Sequence, residues 1–425
     1  MNPTFLELSA TIIFALAVLH TFLVKKFEHM AHHYKEGSMG ENFFHFMAEV
    51  EAVFGIWALV FMIVYATQKG GHGVIEYLES LNFTEPGFVF VIMCMAGTRP
   101  VIILSEKMIV LASKMLPLPR KMAFYISACV LGPLLGSFIT EPAAMTVTAI
   151  ILLNAFYNGK MSNKFKYATI GLLFVNVSIG GTLTHFAAPP VLMVASKWGW
   201  GMSHMVTNFG YKAAISCIIS SLIVAFYFKS ELTGDIEVKK PVAGQMNPTW
   251  WMYLMHIAFL AMVVLTAHHM VVFIALFLFF LGFTTVTKEY QDTIKVKESL
   301  MVGFFLAGLV TLGSLQQWWL QPLISALTDQ VLYFGATGLT AITDNAALTY
   351  LGSLVELTDS AKYFLVAGAV TGGGLTVIAN APNPAGFGIL KDSFGKDGIS
   401  PGGLFVGALV PTFIAILCFE LLPTL

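Results

Sequence analysis

The stretch Thr343-Asp344-Asn345-Ala346-Ala347-Leu348-Thr349 places a carboxylate, an amide and two hydroxyls at the head of an otherwise apolar segment. It has a relative earlier in the chain. Ile139-Thr140-Glu141-Pro142-Ala143-Ala144-Met145-Thr146 matches Ile342 to Thr349 with five identities in eight, and Glu for Asp and Met for Leu are conservative exchanges. A second echo follows each copy. Gly180-Gly181-Thr182-Leu183-Thr184 is answered by Gly372-Gly373-Gly374-Leu375-Thr376, and in register with it Ala187 and Pro190 are answered by Ala379 and Pro382. Asp344 lies 203 residues after Glu141 and Thr376 lies 192 after Thr184, so two motifs recur in the same order at nearly the same separation. This is the mark of an internal duplication with a polar site in each half.

The rest of the chain says what surrounds those sites. With 57% hydrophobic residues, 11% charged, 36 Phe and 21 Met, the composition is too apolar for a soluble protein of 425 residues. The expected class is an all-α polytopic membrane protein, with the lipid bilayer as its main partner. A net charge of −1 and the lack of a basic, aromatic-interleaved stripe exclude nucleic acid as a partner. Cys94, Cys129, Cys217 and Cys418 all fall in apolar segments, which argues against a disulfide framework or a metal motif. Met1 to Val24 lacks a basic leader region and a small-residue cleavage site, so it reads as an uncleaved first span.

Spans of roughly 20 apolar residues fall at about 4–24, 46–67, 88–113, 167–195 and 210–228, then at about 250–267, 270–287, 299–325, 361–386 and 403–423. Two more apolar stretches, about 122–157 and 329–357, are interrupted at their centres by the Thr-Glu-Pro and Thr-Asp-Asn motifs. Each reads as a re-entrant hairpin. Short cytoplasmic loops carry the excess of Lys and Arg, and with this layout nearly all basic residues collect on one side, from Lys25, Lys26 and Lys35 through Arg120, Lys160, Lys239 and Lys240 to Lys391 and Lys396. Lys69, Lys197 and Lys362 are left on the other. The expectation is two inverted-topology repeats, 1–228 and 249–425, each with five transmembrane spans, one re-entrant hairpin and a broken helix after it. The polar stretch 229–248 becomes a cytoplasmic linker, and both termini lie outside the cytoplasm.

Backbone at membrane depth leaves the helix only where protein or a water-filled cavity satisfies it. Pro142 marks such a place in the first hairpin stretch, about 122–157, and Gly180-Gly181, Pro189-Pro190, Gly372-Gly373-Gly374, Pro382 and Pro384 mark them in the two broken spans, about 167–195 and 361–386. A broken helix frees carbonyl oxygens for a hard cation and amide ends for an anion. Glu141 and Asp344, flanked by Thr140, Thr146, Thr343 and Thr349, favour the cation, since neither tip nor either break carries an arginine. Asn345 at the second tip, Asn380 and Asn383 at the second break, and Thr184 and Thr376 add neutral oxygens, while His185 is a titratable neighbour. Asp344, Asn345, Thr343 and Glu141 form the expected Na+ ligand set. A carboxyl group in a poorly hydrated site resists ionisation and a bound cation favours it, so proton and cation compete for the same oxygens. Thr140-Glu141 and Thr343-Asp344-Asn345 are also good helix caps, and the two roles are compatible. Arg99 looks to Glu49 or Glu51 for an ion pair, and Gln316-Gln317 reads as interhelical hydrogen-bonding glue. His29, His32 and His33 suit a solvated amphipathic segment, with metal binding or pH sensing as the alternative.

At these tips and breaks the chain resembles the ion transporter superfamily, whose members carry inverted repeats, each with a re-entrant hairpin and an unwound helix. The acidic tips look like those of its sodium/proton antiporter branches, whereas its dicarboxylate carriers place Ser-Asn-Thr triplets there. Asp344 with Asn345 is the closer match, and Pro142 stands where the second tip has Asn345, so the two halves are not equivalent ligand sets. The resemblance implies exchange of Na+ or Li+ for H+ by alternating access across a bacterial inner membrane, without a cofactor and as a homodimer. The alternative is a sodium-coupled carrier of a small anion such as a dicarboxylate. An intramembrane enzyme is the remote alternative, with no H-E-x-x-H motif to support it.

Overall fold

In hydrocarbon every backbone amide must find its partner within the protein, so a chain this apolar is expected to be helical throughout. The computed structural model describes residues 3–157, 161–234, 246–395 and 398–425, and among them there is helix and no strand. Lys160, Lys239, Lys240, Lys396 and most of the 229–248 connection lie outside the described residues.

In chain order the helices are α1 (Phe5–Ala31), α2 (Met39–Ala48), α3 (Val53–Glu79), α4 (Thr84–Ala96), α5 (Arg99–Met115), α6 (Arg120–Ile139), α7 (Glu141–Phe156), α8 (Asn163–Gly180), α9 (Pro189–Trp198) and α10 (Met202–Met205). They continue as α11 (Tyr211–Tyr227), α12 (Trp250–Leu265), α13 (Met270–Val286), α14 (Val296–Gly313), α15 (Gln317–Ile324), α16 (Asp329–Thr340), α17 (Asn345–Ser353), α18 (Asp359–Gly372), α19 (Asn383–Leu390) and α20 (Pro401–Leu421). Six helical segments of the described residues are long and apolar enough to cross a membrane, and a seventh joins them if α4 and α5, bent by 69°, count as one span. The protein is therefore multi-pass.

The chain forms two compact units, and neither coincides with a sequence half. The first comprises 1–90, 296–327 and 350–357. In it Phe54 of α3 packs edge-on against Phe14 of α1 and Phe305 of α14, and a Cβ on Gly308 would meet the Phe54 backbone at 2.3 Å. Gln316 does bridge helices, its Oε1 accepting from Thr11 Oγ1 at 2.9 Å and from Trp319 Nε1 at 2.8 Å. α1 runs on through His29, whose ring stands edge to face with that of His33 at 4.8 Å, while His32 meets His45 of α2. Among the described residues no group of three or more His, Cys, Asp or Glu is arranged to hold a metal ion.

The second unit, 91–295, 328–349 and 358–425, holds both interrupted stretches. α6 and α7 form an antiparallel hairpin about Thr140. Gly132 faces Thr148 and Gly136 faces Ala144; a Cβ on Gly132 would collide with the Thr148 hydroxyl at 2.1 Å, and one on Gly136 would press on the Ala144 methyl at 3.1 Å. The apex is tight enough that Thr140 adopts φ 72°, the only non-glycine positive φ among the described residues. For a β-branched residue this conformation costs about 1–3 kcal/mol.

Both predicted breaks are present. α8, capped by Ser162, ends at Gly180 and passes through a 3-10 turn at Gly181–Leu183 and an extended stretch to α9. α18, capped by Thr358, ends at Gly372 and passes through a turn at Val377–Ala379 to α19. The two broken segments run antiparallel. Ser178 Oγ donates to the Val370 carbonyl at 2.7 Å, Gly374 lies against the Val175 backbone, Lys166 Nζ donates to the Ser393 carbonyl at 2.8 Å, and Lys362 Nζ lies 5.9 Å above the Trp198 ring. At the crossing the glycines let main chain touch main chain, the usual means of close helix approach where lipid supplies no hydrophobic drive.

Candidate functional site

Each break is fastened to the hairpin limb that precedes it by a hydroxyl at the equivalent position. Thr184 Oγ1 donates to the Ser137 carbonyl at 2.6 Å, and Thr376 Oγ1 donates to the Ala341 carbonyl at 2.7 Å. Ser137 reinforces the first of these, its hydroxyl donating to the Gly180 carbonyl and accepting from the Leu183 amide. Equivalent glycines then abut the two tips. A Cβ on Gly181 would lie 2.5 Å from Glu141 Oε1, and a Cβ on Gly373 would lie 2.9 Å from Asn345 Nδ2 and 2.1 Å from Ser178 Oγ.

Glu141 is the first residue of α7 and is fully buried. Its Oε2 accepts from Asn380 Nδ2 at 2.9 Å, a contact between residues 239 apart in sequence. Its Oε1 has no hydrogen-bond partner among the described residues and occupies the slot that Gly181 leaves open. Three further buried oxygens lack a hydrogen-bond partner among the described residues: Oδ1 of Asn380, the residue that holds Glu141, Oδ1 of Asn383, and Oγ1 of Thr140, the residue before Glu141. Asn383 is held by its amide nitrogen, which donates to the Gly373 carbonyl at 2.7 Å and the Thr376 carbonyl at 2.8 Å. Asn345 is fully buried with neither side-chain atom hydrogen-bonded among the described residues. Buried polar groups are nearly always satisfied, so these unpartnered atoms set this part of the unit apart from its apolar core.

The remaining predicted residues divide by how their polar atoms are employed. Asp344 Oδ1 accepts from the Ala346 and Ala347 amides at 2.8 and 3.1 Å, capping α17, and the carboxyl group lies within electrostatic range of Glu141. Thr146 and Thr349 turn their hydroxyls back onto their own helices, at the carbonyls of Pro142 and of Asn345 and Ala346, and Thr343, between helices, donates to the Leu339 carbonyl at the end of α16. His185 has a buried Nδ1 without a hydrogen-bond partner among the described residues and packs its ring against Phe186. Gly181, Gly373, Ser137 and Ser178 were readable in the sequence only as helix breakers or neutral filler, because their part is to leave space or to bond main chain.

Asp344 gives a clean separation of capping from charge. Asn caps as well as Asp, whereas Ala loses about 1 kcal/mol of helix-end stability. Asp344→Asn should therefore unfold at the wild-type temperature and Asp344→Ala lower, in thermal unfolding followed in detergent. Equal unfolding temperatures for the two variants would mean that the cap carries no weight.

A multi-pass helical protein with two interrupted helices and a fully buried carboxylate at a tight hairpin has features that suit ion transport. The chain is a member of the family described as “Putative Na+/H+ antiporter”, whose sequence model matches residues 5–422. A comparison with curated proteins finds no match. Family membership makes it a transporter rather than an enzyme, with Na+ and H+ as its substrates.

Proposed function

We propose that the protein exchanges Na+ or Li+ for H+ by alternating access across a bacterial inner membrane, with Glu141 as the group for which cation and proton compete. The observation that carries this reading is the divided carboxylate: Oε2 held by Asn380, Oε1 unpartnered in the slot beside Gly181. Asn380, Asn383, Asn345 and Thr140 supply neutral oxygens, and Asp344 adds negative charge nearby. When the cation leaves, the carboxylate is an isolated buried charge, which is costly enough that a proton takes its place. Protonation removes the charge that held the cation. One site then serves both ions in turn, and no separate proton relay is needed.

The test is pH-dye fluorescence in everted vesicles after addition of Na+, Li+, K+ or a dicarboxylate. Na+ and Li+ should dissipate the proton gradient while K+ and the dicarboxylate should not. A gradient unmoved by Na+ and Li+ between about pH 6.5 and 9 would overturn the proposal, since this window brackets neutral titration. Dissipation by the dicarboxylate alone would assign the site to an anion carrier.

The antiparallel crossing of the α8–α9 and α18–α19 segments supports the inverted arrangement of 1–228 and 249–425, since it sets the starts of α8 and α18 at opposite ends of the crossing. Cysteines introduced at Lys164 and Asp359, the former exposed and the latter with a side chain 97% exposed, should react with an impermeant thiol reagent from opposite faces. Labelling of both from one face would rule out inverted repeats.

A further inference from the structure

Ser137 is bonded to the main chain on both sides of Gly181. It is fully buried on α6, three residues before the Thr140 apex. Its hydroxyl donates to the Gly180 carbonyl at 2.7 Å and accepts from the Leu183 amide at 2.9 Å, while its own carbonyl accepts from Thr184 Oγ1 at 2.6 Å. Main chain fastened at 180, 183 and 184 has little room to shift at 181. That position decides how much space stands beside Glu141, because a Cβ there would lie 2.5 Å from Oε1.

The second half shows what such a break requires. Counted from the matching tips at Thr140 and Thr343, the counterpart of Ser137 is Thr340, and Gly180, Leu183 and Thr184 are answered by Gly372, Leu375 and Thr376. The threonine fastening is made in both halves, by Thr184 and by Thr376. The hydroxyl bracket is made in one. Thr340 is as fully buried as Ser137, yet its Oγ1 has no hydrogen-bond partner among the described residues, and the Leu375 amide donates to the Gly372 carbonyl at 3.1 Å. A helix is thus broken and turned in this fold without such a bracket, so forming the break is not what Ser137 is needed for. The two breaks differ in what their glycines face. Gly181 abuts the idle carboxylate oxygen of Glu141, whereas Gly373 abuts Ser178 Oγ and Asn345 Nδ2.

We propose that Ser137 is a positioning residue for the cation: by bracketing Gly181 it sets the width of the slot that holds Glu141 Oε1, and with it the affinity of the site. This rests on the reading of Glu141 as the carboxylate that meets the cation. Ser137 acts through Gly181 and touches no ion. A slot held by main-chain bonds before the ion arrives does not have to be ordered on binding, so its loss appears as weaker binding and not as slower turnover.

The test is a Na+ titration of the unfolding temperature, using the purified full-length protein in detergent with choline replacing Na+ at constant ionic strength. Wild type should show a saturable rise. Ser137→Ala should need roughly tenfold more Na+ for the same rise, and in everted vesicles its half-saturating Na+ should increase likewise with the maximal rate little changed, as expected for lost binding. Thr340→Val removes an equally buried hydroxyl and should leave the titration in place. A Ser137→Ala titration that coincides with wild type overturns the proposal, as does a fall in maximal rate at unchanged half-saturation. An equal displacement in Thr340→Val overturns it too, since the effect would then be one of helix packing. Should Ser137→Ala fail to fold, Ser137→Cys takes its place: the larger sulfur lengthens both bonds, and a wild-type titration there is equally fatal. Absence of any Na+ response in wild type would sink the reading of Glu141 together with this one. Displaced titration without proton exchange would sink the exchange reading alone.

Discussion

Glu141→Gln is expected to abolish Na+-driven proton movement while leaving the protein folded. Glutamine keeps the shape of the side chain, and its oxygen can still accept from Asn380 Nδ2, so the contact now made at 2.9 Å survives. What disappears is the charge that attracts the cation and the oxygen that takes the proton. Removing one partner of a buried charge pair costs roughly 3–5 kcal/mol, which at about 1.4 kcal/mol per tenfold corresponds to a fall in rate on the order of a hundredfold or more. The unfolding temperature should stay level or rise, because an uncompensated buried carboxyl group is replaced by a neutral one. Everted-vesicle fluorescence and detergent melting together decide the matter. Exchange at the wild-type rate in a folded Glu141→Gln protein would remove Glu141 from the mechanism and return attention to Asp344.

Gly181→Ala should be nearly as damaging, by a different route. Its new methyl would sit 2.5 Å from Glu141 Oε1, and the carboxylate, as the movable partner, would swing out of its slot. The half-saturating Na+ concentration for exchange should rise tenfold or more, about 1.4 kcal/mol of lost binding. Li+, being smaller, should suffer less. Gly180→Ala is the informative comparison. Its methyl meets the Pro133 backbone at 2.8 Å, which cannot swing aside, so the cost appears as lost stability of about 1–3 kcal/mol. If the two alanines have the same effect on Na+ dependence and on melting, the slot beside Gly181 is merely packing.

The architecture was legible in the sequence wherever backbone had to leave the helix in an apolar context. Few arrangements tolerate a Gly-Gly or Thr-Glu-Pro in such a setting, and the interrupted stretches at 122–157, 167–195 and 361–386 are each divided by a non-helical joint where expected. The division into compact units was not legible, because a unit assembled from 1–90, 296–327 and 350–357 depends on contacts that leave no local trace. The same holds within the site. Residue type alone ranked Asp344 with Asn345 ahead of Glu141. Geometry distinguishes them by occupation: one Asp344 oxygen caps α17, whereas Glu141 is fully enclosed and its idle oxygen faces a glycine. That distinction rests on Asn380 and Gly181, far from Glu141 in sequence, and no spacing rule reports it.

The turn at Thr140 has a further meaning. Glycine would adopt φ 72° without penalty, yet the apex carries a β-branched residue immediately before the carboxylate. Glycine would also let the apex wander. A threonine forced into this conformation by the two close-packed limbs has few other conformations to visit, so the direction in which Glu141 leaves the chain is fixed before any ion arrives. Under the exchange proposed above, the loss of freedom needed to aim the carboxylate is met once, when the hairpin folds, and does not have to be met again in every transport cycle.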